Sequence, residues 1–519
     1  MPLPRPSSTD PLQWLDRVLQ SEPQRTLLRT PDGRHLSYRE FHELSGSLAT
    51  ALATCGVVCG ERVAAQVEKS VEAVALYIAC LRIGAVFVPL NSAYTLAELE
   101  YFLRDCQPRV AIVRPQMLTG ASPVARAAGV AHIETMDEQG GGSLLTLAMN
   151  PGNLGFTPFS GDATALAALL YTSGTTGRSK GAMLTRGNLA SNAVTLFDAW
   201  QFSETDVLLH ALPIFHVHGL FVAINLSLAS GSSMLFLPKF DANEIVRLLP
   251  QATVMMGVPT FYTRLLQHPG LTEEAASRVR VFISGSAPLL AETHREFRRR
   301  TGHAILERYG MSETLMNTSN PYDGERVPGS VGPALPAVEI RISDAESGQP
   351  LSAPGAIGMI EVRGPNVFAG YWRMPEKTAA EFRADGFFIT GDLGMIDARG
   401  YVRIVGRGKD LIITGGYNVY PIEVEAEIDA LPGVIESAVI GVPHADFGEA
   451  VTAIIVRSPS ATLDESAVRQ QLEQRLANFK LPKRALFIDE LPRNTMGKVQ
   501  KSALRERYRE LYGERKESQ

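Results

Sequence analysis

The sequence predicts an α/β fold with a large N-terminal domain, made of layered α/β lobes and a β-rich subdomain, and a small α+β domain at the C-terminal end. Three observations predict it. The 519 residues exceed what one hydrophobic core usually organises. Short apolar strands alternate with helical stretches through most of the chain, as in layers around a mostly parallel sheet. A new series of strands and helices fills about the last hundred residues, which is the size of a small domain.

The first lobe begins with a predicted hairpin, in which Pro31, Asp32 and Gly33 separate TLLRT from HLSY. We then predict the strands RVAAQV, AVFVPL and RVAIV, with helices over SVEAVALYIACLRIG and LAELEYFLRD between them. The stretch from Gln139 to Asp162 is rich in Gly, Ser, Pro and Asn, which predicts a loop between two lobes. The second lobe runs from ALAALLYT through VRVFIS to AILERYG.

The pattern changes after the second lobe. From Gly329 to Tyr371 short strands such as VEIRI and MIEVRG are separated by Gly and Pro, which indicates the smaller β-rich subdomain. The α+β series of the last domain begins after YVRIVGRGKDLII, and its second helix is predicted near Glu465–Leu476.

The composition narrows the class of partners. Hydrophobic residues make up 45% and charged residues 20%, the balance of a globular protein. A net charge of −5 argues against nucleic-acid binding by bulk electrostatics. The sequence shows neither a secretory signal nor an apolar run long enough to span a membrane. We therefore expect a cytoplasmic protein without nucleic-acid or membrane partners. Its cysteines are expected to be small buried side chains in a reducing compartment: Cys55, Cys59, Cys80 and Cys106.

The stretch YTSGTTGRSKG, from Tyr171 to Gly181, is the most informative part of the sequence. It follows an apolar strand and precedes a helix predicted to begin near Arg186. Its glycines let the backbone approach a ligand with the N–H groups turned inward, and its hydroxyls and Lys180 add donors suited to a polyphosphate. It is not a Walker sequence, because Lys180 is followed by glycine. A solvated linker is the alternative, but linkers rarely carry this order of residues between a strand and a helix.

This stretch resembles the signature of the adenylate-forming superfamily, which includes acyl-CoA synthetases, luciferases and peptide-synthetase adenylation domains. Further stretches follow in the family's order and cover almost the whole chain. They are FHVHG (215–219), SGSAP (284–288), ERYGMSET (307–314), TGD (390–392), GRGKD (406–410), GGY (415–417) and PRNTMGK (492–498). The chain is identified as a member of this superfamily.

The resemblance implies an AMP-forming acyl-CoA synthetase, an acid–thiol ligase. Such an enzyme uses ATP to adenylate a carboxylic acid and then transfers the acyl group to CoA. Residues 1–407 would form the N-terminal domain, and residues 408–519 a mobile C-terminal domain that carries the reactive lysine. Lys409 would be the hinge, since Gly406 and Gly408 beside it make a large backbone change easy.

The resemblance also implies the residues that hold ATP. The phosphates would be bound by Thr172, Ser173, Gly174, Thr175, Thr176 and Lys180. Tyr309 would stack on adenine, and Gly285, Ser286 and Ala287 would line the other face of that pocket. Gly310, Met311 and Ser312 would also belong to the ATP- and AMP-binding residues. Asp392 and Arg407 would bind the ribose, because a carboxylate accepts from its hydroxyls. Glu313 would hold Mg²⁺, which prefers oxygen ligands.

Two residues would take part in the chemistry. Lys498 is a point charge that can bridge the attacking carboxylate and the α-phosphate. His216 would lie between the acyl pocket and the nucleotide; core packing is its alternative role. After a rotation of the small domain, Gly415, Gly416 and Tyr417 would approach the thiol arm of CoA.

The acid itself is predicted from three stretches that resemble malonyl-CoA synthetases: LPIFHVHGLFVA, VPTFYTRLL and ERYGMSETLMNTSNPYDGERVPGSVG. In the second, Arg264 interrupts an apolar run. We expect its planar guanidinium to pair the distal carboxylate of a small dicarboxylic acid, which would be costly to bury alone. Ser284 or Ser286 would add a hydrogen bond, and Met311 and Met316 would either shape the pocket or belong to the core. The alternative for Arg264 is a solvent-facing position on an amphipathic helix.

The sequence therefore predicts malonate, with methylmalonate as an accepted second substrate, and ATP and CoA as co-substrates. Three other functions stay open. The acid could be a medium-chain or aromatic monocarboxylic acid, or the acyl group could pass to the phosphopantetheine arm of a carrier protein. The third is a nucleotide-binding regulatory protein without catalysis, which would not need Lys498. A homodimer is compatible with the sequence.

Overall fold

A computed structural model describes residues 3–7, 9–150, 155–172, 179–459, 461–494 and 497–512. Its strands, in chain order, are β1 (Thr26–Arg29), β2 (His35–Ser37), β3 (Arg62–Gln66), β4 (Val86–Pro89), β5 (Val110–Val113), β6 (His132–Thr135), β7 (Leu166–Thr172), β8 (Lys180–Thr185), β9 (Val207–His210), β10 (Ser233–Phe236), β11 (Val254–Gly257), β12 (Val281–Ser284), β13 (Leu306–Met311), β14 (Leu315–Ser319), β15 (Glu339–Ser343), β16 (Gly358–Arg363), β17 (Phe388–Ile396), β18 (Val402–Arg407), β19 (Ile412–Thr414), β20 (Tyr417–Val419), β21 (Val434–His444), β22 (Gly448–Arg457) and β23 (Arg484–Phe487).

The α-helices of the same residues are α1 (Leu12–Ser21), α2 (Tyr38–Thr54), α3 (Val71–Ile83), α4 (Leu96–Cys106), α5 (Leu118–Ala127), α6 (Ser143–Ala148), α7 (Arg186–Ala199), α8 (Asn225–Ser230), α9 (Ala242–Leu248), α10 (Pro259–Leu266), α11 (Glu273–Ala276), α12 (Ala291–Thr301), α13 (Pro375–Ala380), α14 (Pro421–Asp429), α15 (Glu465–Leu472) and α16 (Lys501–Arg507). Across the described ranges, none of these helices is long and apolar enough to cross a membrane.

Two large sheets form the first part of the molecule. The six-stranded sheet has the order β6-β5-β3-β4-β7-β8, and the eight-stranded sheet has the order β14-β13-β12-β11-β9-β10-β1-β2. Neighbouring strands are parallel except at the edges, where β7–β8, β13–β14 and β1–β2 are antiparallel. One hydrophobic core includes residues of both sheets and of α2, α3, α7 and α8. Since α3 is apolar on almost every side, it can only be stable when it is covered all round.

The carboxyl ends of the parallel strands in the eight-stranded sheet carry the segments with unusual chemistry. His210 ends β9, Ser284 ends β12, and β13 runs into the hairpin that continues to β14. In open parallel sheets ligands bind outside this edge, because the loops that follow the strands converge there. The fold therefore brings the sequence stretches FHVHG, SGSAP and ERYGMSET to one place.

Two smaller sheets follow. The antiparallel sheet β15-β16-β17-β18 forms the β-rich subdomain and ends at Arg407. A single 3₁₀ turn, Gly408–Asp410, leads into the last sheet, in which β19–β22 have the order β20-β19-β22-β21 and β23 pairs with β22. That sheet has hydrophobic clusters of its own with α14, α15 and α16. The predicted fold class is confirmed.

Three local predictions differ from the structure. The end of the phosphate stretch belongs to strand β8, which pairs antiparallel with β7, so a strand that was not predicted lies before the helix at Arg186. The predicted loop from Gln139 to Asp162 contains α6. Cys59 is exposed, whereas Cys55, Cys80 and Cys106 are buried as expected. The early hairpin β1–β2 is confirmed, and α7 begins at Arg186 as predicted.

Candidate active site

The side chains predicted to hold adenosine form one connected group. The hydroxyl of Tyr309 donates to Asp392 Oδ2 at 2.6 Å, and Arg407 Nε lies 2.6 Å from Asp392 Oδ1. Tyr309 and Asp392 are buried, and Asp392 is paired with Arg407 across strands β17 and β18. Asp392 raises the pKa of Arg407, while burial followed by the Asp392 charge holds the pKa of the Tyr309 hydroxyl well above its usual range. Strand β13 and the antiparallel subdomain thus meet at this group.

The loop after β12 lies against strand β13, since a Cβ at Gly285 would come within 2.4 Å of Arg308 Cζ. Gly285 is buried, whereas Ser286 and Ala287 are partly exposed, and Ser286 has φ +73°. A non-glycine residue in the left-handed region stores backbone strain, which is common where a loop lines a ligand. Gly310, Met311 and Ser312 follow on β13 and just after it, and all three are partly exposed.

The predicted phosphate end is built around buried charges. Thr172 ends β7 and its hydroxyl donates to Glu313 Oε1 at 3.3 Å. The hydroxyl of Tyr371 lies 3.1 Å from Glu313 and 2.6 Å from Glu381. Lys180, at the start of β8, pairs with Glu381 at 3.2 Å. Ser173, Gly174, Thr175 and Thr176 lie outside the described residues.

Glu313 has the properties of a ligand for a hard cation. Its side chain is buried, and burial raises its pKa, since the described neighbours give it hydroxyl donors and no paired lysine or arginine. Carboxylate and hydroxyl oxygens are the donors that Mg²⁺ prefers. The residues present therefore fit the Mg²⁺ ion that the family resemblance implies for Glu313.

Lys498 of the small domain lies at the same site. Its charge interacts with Arg407, Asp392 and His216, and burial followed by the nearby Arg407 lowers the pKa of Lys498 to about 8. Beside it, Gly497 has φ +73°, and a Cβ at that position would lie 2.8 Å from Thr260 Oγ1 on α10. Gly497 of the small domain therefore lies against α10 of the large domain, whereas Thr495 and Met496 lie outside the described residues.

A group of buried basic side chains continues from Lys498 through His216. Its members are Lys69, His210, His216, His218 and Arg308. Burial, followed by the neighbouring Arg308 and Lys498, lowers the pKa of His216 to about 4. Burial also holds the pKa values of Lys69, His210 and His218 well below their usual ranges. Lys69 Nζ lies 2.7 Å from His210 Nδ1, and His210 Nε2 lies 2.9 Å from the Gly219 carbonyl oxygen. Within the described residues this group contains no carboxylate ion pair, so it favours an anionic ligand.

Arg308 is a further basic group of this site, and none of the sequence motifs predicts its role. Only 2% of it is exposed, and its Nε and Nη2 atoms find no hydrogen-bond partner among the described residues. Burial lowers its pKa to about 9. Its guanidinium lies against Gly285, where a Cβ would come within 2.4 Å of Cζ. A buried guanidinium without a partner is costly unless a ligand supplies the negative charge.

The predicted acyl-pocket residues separate into two groups. Ser284 is buried and its hydroxyl has no hydrogen-bond partner among the described residues, and Met316 is buried in the core. Arg264 lies one helical turn after Thr260 on α10 and is exposed, with its Cζ 5.8 Å from the centre of the Phe240 ring. The structure thus brings Ser284 and Arg308 into the buried region and leaves the Arg264 side chain in solvent.

The residues predicted to contact CoA and to form the hinge lie on the small domain's surface. Gly415, Gly416 and Tyr417 are exposed in the turn between β19 and β20, and Tyr417 stacks on Phe479 with ring centres 4.8 Å apart. Lys409 is exposed in the 3₁₀ turn after Arg407. The charge of Lys409 contributes to the lowered pKa of Lys498, so the predicted hinge lies near the site.

The fold and this site define a class of protein. The family model of AMP-binding enzymes matches residues 15–372, and that of the AMP-binding enzyme C-terminal domain matches residues 423–498. The chain belongs to the AMP-binding enzymes.

Its relatives include CoA ligases. ATP-bound MatB from Rhodopseudomonas palustris is 58% identical, covering 97% of this chain and 100% of that one with a TM-score of 0.94; the TM-score to apo MatB is 0.82. Indoleacetate–CoA ligase of Aromatoleum aromaticum is 37% identical over 95% of this chain and 97% of its own. Mitochondrial malonate–CoA ligase ACSF3 of Mus musculus is 36% identical over 91% of this chain and 86% of its own.

Proposed function

We propose that the protein is a malonate–CoA ligase that converts malonate, ATP and CoA into malonyl-CoA, AMP and pyrophosphate, and that it also accepts methylmalonate. The observation that carries the proposal is the buried guanidinium of Arg308, whose Nε and Nη2 have no hydrogen-bond partner among the described residues, in a group of basic side chains. A dicarboxylic acid keeps one carboxylate for reaction and presents the other to this cation. A monocarboxylic acid would leave Arg308 unpaired.

The first step joins one carboxylate oxygen of malonate to the α-phosphorus of ATP, and the bond to the pyrophosphate oxygen breaks. Both reactants are anions, so positive charge at the point of attack lowers the barrier. Lys498 supplies that charge beside Asp392 and Arg407, which we assign to the ribose. Because His216 is neutral above about pH 4, it would orient the reactants as a hydrogen-bonding group and not as a cation.

Triphosphate binding is assigned to the hairpin loop between β7 and β8, with Lys180 at its end. Mg²⁺ would be held by Glu313 and would neutralise phosphate charge when bound. Thr172 and Tyr371 keep the Glu313 carboxylate oriented by donating to it. Tyr309 would stack on adenine while its hydroxyl holds Asp392 in place.

The second step needs a different part of the small domain. The thiolate of CoA attacks the acyl carbon, and AMP leaves with the electron pair of the broken acyl–phosphate bond. Gly415, Gly416 and Tyr417 are exposed on the surface while Lys498 lies in the site. We propose that residues 408–519 rotate about Lys409 relative to residues 1–407, so that this turn replaces Lys498. The higher TM-score to ATP-bound MatB than to apo MatB supports assigning the present arrangement to the first step.

The test is pyrophosphate release with ATP and a panel of malonate, methylmalonate, acetate, butyrate, benzoate and indoleacetate, each with and without CoA. We expect the highest kcat/KM for malonate and slow or undetectable turnover of the monocarboxylates. Faster turnover of any monocarboxylate would contradict the assignment of the acid. Pyrophosphate release without formation of an acyl-CoA product would indicate that the acyl group passes to a carrier protein instead of CoA. The cytoplasmic location and the homodimer remain predictions.

A further inference from the structure

The catalytic lysine is carried by a loop whose anchor points are visible in the structure. Asn494 and Lys498 exchange two bonds, from Lys498 N to Asn494 Oδ1 at 2.9 Å and from Asn494 N to the Lys498 carbonyl at 3.0 Å. Gly497 N donates to the Asn494 carbonyl at 2.8 Å. These three bonds join Asn494 to Gly497 and Lys498 across the turn and are internal to it.

The attachment comes from Arg493. Its guanidinium donates to the carbonyl oxygen of Gly497, the residue directly before Lys498, and forms an ion pair with Glu436 on β21. Arg493 and Val499 also face each other in an isolated antiparallel bridge that closes the base of the loop. One side chain therefore ties the turn to the central β21–β22 ladder of the domain.

A second ion pair holds the other end of the loop. Lys501, at the start of α16, pairs with Glu425 of α14 at 2.6 Å, and the same carboxylate oxygen accepts from the backbone N–H of Val439 on β21 at 2.7 Å. Both pairs end on α14 and β21, so the turn is fixed on two sides to one rigid part of the domain.

The placement of this turn matters because it meets the large domain closely. Gly497 leaves no room for a side chain against Thr260, so a small shift of its backbone alters the contact and moves Lys498 with it. A reacting group misplaced by about 1 Å loses on the order of 10²-fold in rate. Lysine has a long flexible side chain, so the position of its ammonium group depends on a fixed position of its backbone.

We propose that Arg493 and Glu436 are positioning residues for Lys498: their ion pair, with the bond from Arg493 to the Gly497 carbonyl, sets the position of the lysine for adenylation. The inference rests on the proposed function, in which Lys498 acts in the first step only. The guanidinium of Arg493 bonds to the Gly497 carbonyl, directly before Lys498, so we infer that the pair acts through the backbone. Their side chains are 30% and 25% exposed, and pairs of this exposure contribute little to folding stability.

The test separates the two steps. Variants Arg493→Gln, Arg493→Lys and Glu436→Gln are compared with wild type in pyrophosphate release from ATP and malonate without CoA. The second step is measured in reverse, as thiol release from malonyl-CoA and AMP. The matched control is Glu465→Gln, which removes another ion pair of the small domain, Glu465–Arg484 at 2.9 Å. Thermal unfolding of each variant checks that it is folded.

We expect Arg493→Gln to lower kcat of the first step on the order of 10- to 100-fold, with KM for ATP and malonate unchanged. Thiol release should stay at the wild-type rate, Arg493→Lys should recover part of the loss, and Glu436→Gln should lie between. Glu465→Gln should match wild type. Equal loss in both steps, or an unaffected first step, would overturn the inference. Failure of the wild type with malonate would instead overturn the proposed substrate, and the comparison would then use the acid that the wild type does adenylate.

Discussion

Tyr309 donates its hydroxyl to the Asp392 carboxylate at 2.6 Å, which joins the residue assigned to adenine to the residue assigned to the ribose. Asp392 is buried, and its other carboxylate oxygen forms an ion pair with Arg407. The Asp392 carboxylate, which would accept hydrogen bonds from the ribose, is therefore oriented before ATP binds. Part of that orientation comes from the hydroxyl of Tyr309, whose ring would stack on adenine.

Replacing Tyr309 with Phe keeps the aromatic ring and removes the hydrogen bond to Asp392. Because a hydrogen bond to a charged group contributes about 1.5–3 kcal/mol, we expect KM for ATP to rise by roughly tenfold or more. Steady-state kinetics with varied ATP measures it, and KM for malonate serves as the internal control. An unchanged KM for ATP would show that Arg407 alone orients Asp392.

Arg308 and Arg264 are two candidates for the second carboxylate, and they differ in burial. Arg308→Leu should lower kcat/KM for malonate by on the order of 100-fold, because a buried charge pair would be lost, while ATP still binds. Arg264→Leu should have a smaller effect, since an exposed pair is worth less. A larger loss in Arg264→Leu than in Arg308→Leu would reverse the assignment.

The pH dependence of adenylation should follow Lys498. Its pKa of about 8 lies below that of a free lysine, so the charge needed at the reacting carboxylate is present below about pH 8 and is lost above it. We expect the rate of malonate-dependent pyrophosphate release to fall as pH rises through 8. His216, with a pKa of about 4, should add no limb between pH 6 and 8. A Lys498→Ala variant should be inactive in this step at every pH.

Glu313 should set the requirement for magnesium. Glu313→Gln removes the carboxylate charge and keeps the size of the side chain, so the Mg²⁺ concentration that gives half-maximal rate should rise by tenfold or more. Titration of Mg²⁺ at fixed ATP measures this. Thr172→Val, which removes only a hydroxyl donor to Glu313, is the milder comparison. Equal Mg²⁺ dependence in wild type and Glu313→Gln would contradict the assignment.

The sequence predicted the layers of the fold, the last domain and most of the residues that meet at the site, because periodic apolar patterns and an ordered set of motifs carry that information. It did not predict β8, since KGAMLT is short and runs directly into the capping residue Thr185 with no turn residue between them. Arg308 was missed for a different reason. It follows the charged residue Glu307 directly in the sequence, and two consecutive charged residues usually indicate an exposed segment. Both are buried because β13 packs beneath the loop after β12, and a local sequence pattern does not predict such packing.

The group of basic side chains around Arg308 also has a consequence for the protein without substrate. Arg308 is buried without an ion pair among the described residues, so the enzyme without substrate carries an electrostatic penalty that an anionic ligand removes. The charge of Arg308 thus favours substrate binding but lowers the folding stability of the protein without substrate. Arg308→Leu, although impaired with malonate, should melt at a higher temperature than the wild type without ligand, and malonate should raise the melting temperature of the wild type alone.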